Sequence, residues 1–239
     1  MTFPVAILAG GLATRLLPQS EEIPKSLLDI EGKPFVERQI DLLTRQGIGR
    51  IVMCVGHLGE MIREVIGNGA RLGAEVSYSF DGPELLGTGG ALKRALPQLG
   101  DAFFVLYGDS YLPIDYRAAE RAFGQIGKPG LMTVFRNEGK WDRSNVLFAD
   151  GRIARYEKDN PTADMRHIDY GLGILRQEVF EEIPEGHPWD LADIYRDLAG
   201  RGELAGFEAA DRFYEIGSKR GLEEMRALFS ALHGKEPSR

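Results

Sequence analysis

One cysteine, two tryptophans and four histidines in 239 residues leave little room for several kinds of chemistry. With only Cys54 there is no intramolecular disulfide, and its place in an apolar strand-like run reads as a small buried hydrophobe. No apolar run approaches the roughly 20 residues that cross a bilayer. Met1-Thr2-Phe3-Pro4 leads straight into a strand with no signal peptide, so the cytoplasm is the expected compartment. Positive charge is not in excess either: 29 Lys and Arg face 36 Asp and Glu, for a net charge of -7. That excludes a general nucleic-acid or anionic-membrane surface, so an anionic substrate must be held by local donors. Two familiar phosphate loops are also missing, the G-x-x-x-x-G-K-[ST] spacing and the G-x-G-x-x-G fingerprint. No internal repeat is visible, so residues 1–239 are expected to form a single domain.

The composition that remains, 43% hydrophobic and 27% charged, is that of an ordinary globular chain long enough for one large α/β domain. Its most informative stretch is Val5 to Leu28. An apolar run, Val5-Ala6-Ile7-Leu8-Ala9, meets Gly10-Gly11, then Thr14 and Arg15, and ten residues later Pro24-Lys25-Ser26-Leu27. Glycines can take positive φ and let a ligand approach the backbone, whose N–H groups then face an anion. Arg15 offers a planar fork of donors and Lys25 a compact charge, a set suited to a polyphosphate.

Leu8-Ala9-Gly10-Gly11-Leu12-Ala13-Thr14-Arg15-Leu16-Leu17-Pro18 followed by Pro24-Lys25-Ser26-Leu27 resembles the signature of the sugar-1-phosphate nucleotidyltransferases. The resemblance implies an α/β fold with a Rossmann-like mixed central sheet flanked by helices, of the nucleotide-diphospho-sugar transferase type. It also implies a nucleoside triphosphate and a sugar 1-phosphate as substrates, and Mg2+ as cofactor. Leu8, Ala9, Gly10, Gly11 and Thr14 would then line the nucleotide, with Arg15 on the triphosphate and Lys25 at the reacting phosphate.

The rest of the chain fits an alternating β and α order. Phe35 to Gln46 reads as a helix packed on a sheet, Arg50 to Val55 as a strand, Met61 to Ile66 as a helix and Ala74 to Phe80 as a strand. Asp81 to Gly90 is a glycine-rich loop ahead of a helix at Ala91 to Leu96. Close backbone contact with a flat ligand is one use of such a loop, structural punctuation another. By resemblance Gly82, Gly87 and Thr88 contact base and ribose. Ala102 to Tyr107 is a buried strand ending in Gly108-Asp109. A carboxylate at a strand's carboxyl end faces the crevice where α/β sheets bind ligands and suits Mg2+; a turn aspartate capping the next helix is the other reading. By resemblance to the family's Gly-Asp, Gly108 joins the nucleotide set, and Asp109 joins Arg15 and Lys25 as catalytic and as a metal ligand.

Further on, Asn145 to Phe148 and Arg152 to Tyr156 read as a hairpin about an Asp150-Gly151 turn that delivers Glu157-Lys158. This resembles the family's Glu-Lys-Pro element, with Asp159 where the Pro stands, and assigns the sugar to Glu157 and its phosphate to Lys158. An exposed charge pair is the alternative. Asn145 and the strand Ile168 to Leu175, with Asp169 and Gly171, complete the acceptor set, although Asp169-Tyr170 replaces the Asn or Thr usual there. By resemblance Glu215 stands where the family carries its second metal-binding acid, a partly buried salt-bridged Glu being the other reading, ahead of a final helix at Leu222 to Leu232.

The bare length and Leu86-Gly87-Thr88-Gly89-Gly90-Ala91-Leu92-Lys93 are most similar to single-domain D-glycero-D-manno-heptose 1-phosphate guanylyltransferases, which make GDP-heptose from GTP. Uridylyl transfer to a hexose or N-acetylmuramate 1-phosphate, and a non-catalytic regulatory subunit of the same fold, stay open, as does a homo-oligomer.

Overall fold

Short β-rich runs alternate with amphipathic segments, and the backbone follows that alternation. The computed structural model describes residues 2–11 and 23–233. The strands are β1 (Val5–Leu8), β2 (Asp29–Ile30), β3 (Lys33–Pro34), β4 (Arg50–Val55), β5 (Glu75–Phe80), β6 (Ala102–Tyr107), β7 (Ser110–Tyr111), β8 (Gly130–Arg136), β9 (Val146–Ala149), β10 (Arg152–Tyr156), β11 (His167–Arg176), β12 (Leu204–Ala209) and β13 (Tyr214–Glu215). The helices are α1 (Phe35–Arg45), α2 (Gly59–Ile66), α3 (Gly87–Leu99), α4 (Tyr116–Ile126), α5 (Leu191–Gly200) and α6 (Lys219–His233).

Among the described residues one nine-stranded sheet runs β5-β4-β1-β6-β11-β8-β12-β10-β9. Its first four strands are parallel, and β11 enters antiparallel between β6 and β8. This is the expected mixed sheet flanked by helices. β1, β4 and β6 are apolar on both faces because helices cover both. Val5, Ile7, Phe104 and Leu106 face a core with α1, α2 and α4. Ala6, Phe103 and Val105 face one with α3 and α5. Full burial of each Phe, Leu or Ile contributes about 1.5–3 kcal/mol.

A third, smaller cluster positions the site. Ile216, Met225 and Phe229 pack on Ile30 and Phe35, so α6 docks beside the β2–β3 hairpin. The guanidinium of Arg38 fastens the same corner, donating to the carbonyls of Ile30 and Glu31 and lying 4.4 Å from the Phe229 ring centre. β13 is thereby laid antiparallel on β7, with Glu215 opposite Ser110.

Several element boundaries move from their sequence expectation. Gly87 to Gly90 form the first turn of α3 rather than a loop before it. The final helix starts at Lys219 rather than Leu222, and a 3-10 turn at Gln177–Phe180 follows β11. β11 carries a bulge between Asp169 and Gly173, with Gly171 at φ 97°. No helix among the described residues is long and apolar enough to cross a membrane.

Candidate active site

The carboxyl ends of β1, β4 and β6 open into a cleft of about 260 Å³. Leu8, Ala9, Gly10, Gly11, Lys25, Gly87, Thr88, Gly108 and Asp109, all singled out in the sequence, line it together. Thr14 and Arg15 lie outside the described residues. Gly82 is exposed and stands apart from the lining, where it turns the chain over Arg94.

Neither Gly10 nor Gly11 takes positive φ, contrary to the usual reason for such a pair. Gly10 is needed for close approach: a Cβ there would lie 2.9 Å from the Gly56 nitrogen and 3.5 Å from an Asp81 carboxylate oxygen. Among the described residues no atom lies within 4 Å of a Cβ placed on Gly11. The glycines at α3 have an occupant. Gly89 and Gly90 N–H both donate to the Trp189 carbonyl, at 2.8 and 3.3 Å, and Trp189 N–H donates to Leu86 O. A strap before α5 therefore satisfies amides that end a helix unpaired.

Asp109 follows β6 and is held from three sides. Gly108 N–H donates to Leu8 O, and Ile216 N–H to Asp109 O. The carboxamide nitrogen of buried Gln39 donates to Tyr107 O at 3.0 Å and Ser110 O at 2.7 Å, bracing both ends of the turn. The β7–β13 ladder brings Glu215 alongside. A Cβ on Gly217 would lie 2.6 Å from Glu215 Oε2 and 3.3 Å from Asp109 Oδ2, so the two carboxylates converge on one glycine. Glu215 also accepts from Gly217 N–H and Ser218 Oγ. Among the described residues no third His, Cys, Asp or Glu completes a metal-binding cluster. Two carboxylates with the remaining positions left to substrate oxygens and water are the donor set that magnesium accepts.

Beyond this pair lies a second cavity of about 490 Å³, also lined by Lys25 and Asp109. Lys25, on a 3-10 turn, and Asp109 thus stand where two cavities meet. Its far wall carries Arg212, whose guanidinium lies 3.7 Å from the Trp141 ring centre and 4.5 Å from that of Tyr214 and pairs with Glu224.

The expected acceptor residues are brought together by hydrogen bonds. Asn145 O accepts from Glu157 N–H, Asn145 Oδ1 from Asp169 N–H, and Asp169 Oδ1 from Gly171 N–H, the side-chain bonds both at 2.9 Å. A Cβ on Gly171 would lie 3.5 Å from Ser110 Oγ, next to the Asp109 turn. Burial pushes the Asp169 carboxyl up to about 6 against the pull of Gly171 N–H and Lys158. Lys158 Nζ pairs with Asp190 at 2.8 Å, and Glu157 with Arg196 of α5 at 3.7 Å.

A family profile described as nucleotidyl transferase matches residues 5–145, well over half the chain. The chain belongs to that family. D-glycero-alpha-D-manno-heptose 1-phosphate guanylyltransferase of Campylobacter jejuni is 39% identical over 218 residues, covering 88% of this nucleotidyl transferase and 93% of that protein. UTP--glucose-1-phosphate uridylyltransferase of Synechocystis is 30% identical over 82% of the chain, which spans only 55% of that relative's length. Among solved structures, HddC of Yersinia pseudotuberculosis complexed with GMP-PN superposes with a TM-score of 0.79 at 26% identity, covering 95% of the chain and all of HddC.

Sequence reasoning missed several residues around these cavities. Asp81 sits in the cleft, its carboxyl raised by burial despite the Leu86 N–H and Arg94. Cys54 also lines it, with a thiol pushed up to about 12 by burial and by Asp81, which suits the inert role expected. Asp190 carried a readable signal, an aspartate just before an apolar helix. Arg212 carried none, since its aromatic partners come from Trp141, far away in sequence, and from β13.

Proposed function

We propose that this nucleotidyl transferase moves a nucleoside monophosphate from GTP to a heptose 1-phosphate, yielding GDP-heptose and pyrophosphate. The observation that carries the reaction type is the convergence of Asp109 and Glu215 beside Lys25, at the junction of the glycine-lined cleft and the second cavity. The guanine and heptose assignments rest on the Campylobacter relative, which is the more identical and matches along nearly its whole length.

In this reading a sugar 1-phosphate oxygen attacks the α-phosphorus in line, forming the new P–O bond as the bond to pyrophosphate breaks. A phosphomonoester's second pKa is about 6, so the attacking oxygen is already anionic near neutrality and needs no general base. The protein's work is to bring two anions together and to meet charge on the phosphoryl oxygens. Lys25 does so at the α-phosphate and Arg15 at the departing pyrophosphate. Lys158 holds the acceptor phosphate, while Asn145, Glu157, Asp169 and Gly171 bind its hydroxyls. Asp109 and Glu215 would hold Mg2+, which when bound supplies Lewis-acid stabilisation of the phosphates. The single domain would act in the cytoplasm on small anionic substrates, with no nucleic-acid or membrane partner.

Thermal shift with each common nucleoside triphosphate and Mg2+ tests the base. GTP should raise the midpoint most; a shift with UTP alone would overturn the guanylyl assignment in favour of a uridylyltransferase.

A further inference from the structure

The acceptor lysine and the nucleotide loop come from opposite ends of the fold, and one carboxylate touches both. Asp190 caps α5 through Oδ1, which accepts from Ala192 N–H at 3.0 Å and from Thr88 Oγ1 at 3.0 Å. Thr88 Oγ1 in turn accepts from Leu191 N–H at 2.8 Å. The other oxygen, Oδ2, takes Lys158 Nζ at 2.8 Å. Lys158 Nζ therefore stands one carboxylate's width from Thr88, which lines the nucleotide cleft. The preceding residue locks this register, since the Trp189 peptide bonds to Leu86, Gly89 and Gly90. Burial raises the Asp190 carboxyl, but Lys158, Ala192 N–H and Thr88 outweigh it and hold the group below the usual carboxylate range.

We infer that Asp190 is a positioning residue that fixes Lys158 against the nucleotide loop, so that the acceptor phosphate is received at a set distance from the cleft. The inference rests on the reading of Lys158 as the acceptor-phosphate contact. A lysine has four rotatable bonds, and an unanchored ammonium must be ordered each time the acceptor binds. Asp190 orders it beforehand. Both side chains are about half exposed, so the gain is that of a surface ion pair.

Asp190→Asn separates this role from the helix cap. The Asn Oδ1 still accepts from Thr88 and Ala192, whereas its amide nitrogen faces Lys158 donor to donor. The expected result is a KM for the sugar 1-phosphate raised about three- to fivefold, the size that an exposed ion pair supports. The KM for the nucleoside triphosphate, kcat and the thermal midpoint should stay at the parent values. Lys158→Met should raise the acceptor KM further, and adding Asp190→Asn to it should change nothing more. An unchanged or lowered acceptor KM in Asp190→Asn, with Lys158→Met still impaired, overturns the positioning role alone. An unchanged acceptor KM in Lys158→Met overturns the reading of Lys158 and the inference with it.

Discussion

Asp109 and Glu215 are 106 positions apart in the sequence yet share one glycine neighbour, so each should be needed for turnover and neither for folding. Asp109→Asn is expected to lower kcat about 10²- to 10³-fold, the range seen when a preorganised transition-state contact is lost, with an unchanged thermal midpoint. Near-parental kcat would remove Asp109 from the centre. Asp169 bears on stability instead. Its folded carboxyl titrates at about 6, above the ordinary value of 3.8, in the company of Lys158, Gly171 N–H, Tyr107, Tyr156 and Tyr195. The folded state thus holds a proton that the unfolded chain has lost between those values. The group's stabilising effect is complete below pH 3.8 and disappears as pH rises through 6. Asp169→Asn should therefore melt higher than the parent at pH 8, with the gap shrinking toward pH 4; a gap independent of pH would contradict this. Lys25 and Asp109 were legible because each follows a local pattern, a Pro-Lys after a glycine turn and a Gly-Asp after a buried strand. Asp81 and Arg212 depend on neighbours that only the fold supplies.

At the scale of elements, the strap at residues 187–190 explains why α3 opens with glycines. A Cβ on Gly90 would lie 2.6 Å from the His187 carbonyl, and one on Gly87 2.7 Å from that of Trp189. Gly90→Ala should push the strap away at a cost of about 1–3 kcal/mol, the usual scale of overpacking. It should also shift the emission of Trp189, and retained stability with unchanged emission would argue against the strap. The sequence pattern placed β1, β4, β5, β6, β9, β10 and β11 of the large sheet near their true positions, because apolar period and turn residues are local signals. It read the first turn of α3 as loop because glycine is a poor helix former, and nothing local told that Trp189 would cap those amides. The pairing of β13 with β7 was equally hidden, for the two-residue strand at Ser110–Tyr111 leaves no periodicity to read.

Across the whole molecule, a net charge of -7 surrounds a site that must gather two anions, so capture depends on local cations and on the metal. Chelation of divalent ions should abolish turnover, and Mg2+ should restore it while leaving the far-ultraviolet circular dichroism unchanged; activity in excess chelator would exclude Asp109 and Glu215 as a required metal pair. The overall architecture was legible in the alternation of strands and helices, and the reaction type in one motif. The junction of two cavities at Lys25 and Asp109 was not, since it arises from α6 docking on the β2–β3 hairpin. The most direct test of the account is pyrophosphate release from purified protein given Mg2+, GTP and a panel of sugar 1-phosphates. Stoichiometric pyrophosphate and GDP-sugar are expected with a heptose 1-phosphate, formed about 10²- to 10³-fold more slowly by Asp109→Asn. No release with any sugar 1-phosphate and any nucleoside triphosphate would contradict it and leave a binding subunit of the same fold.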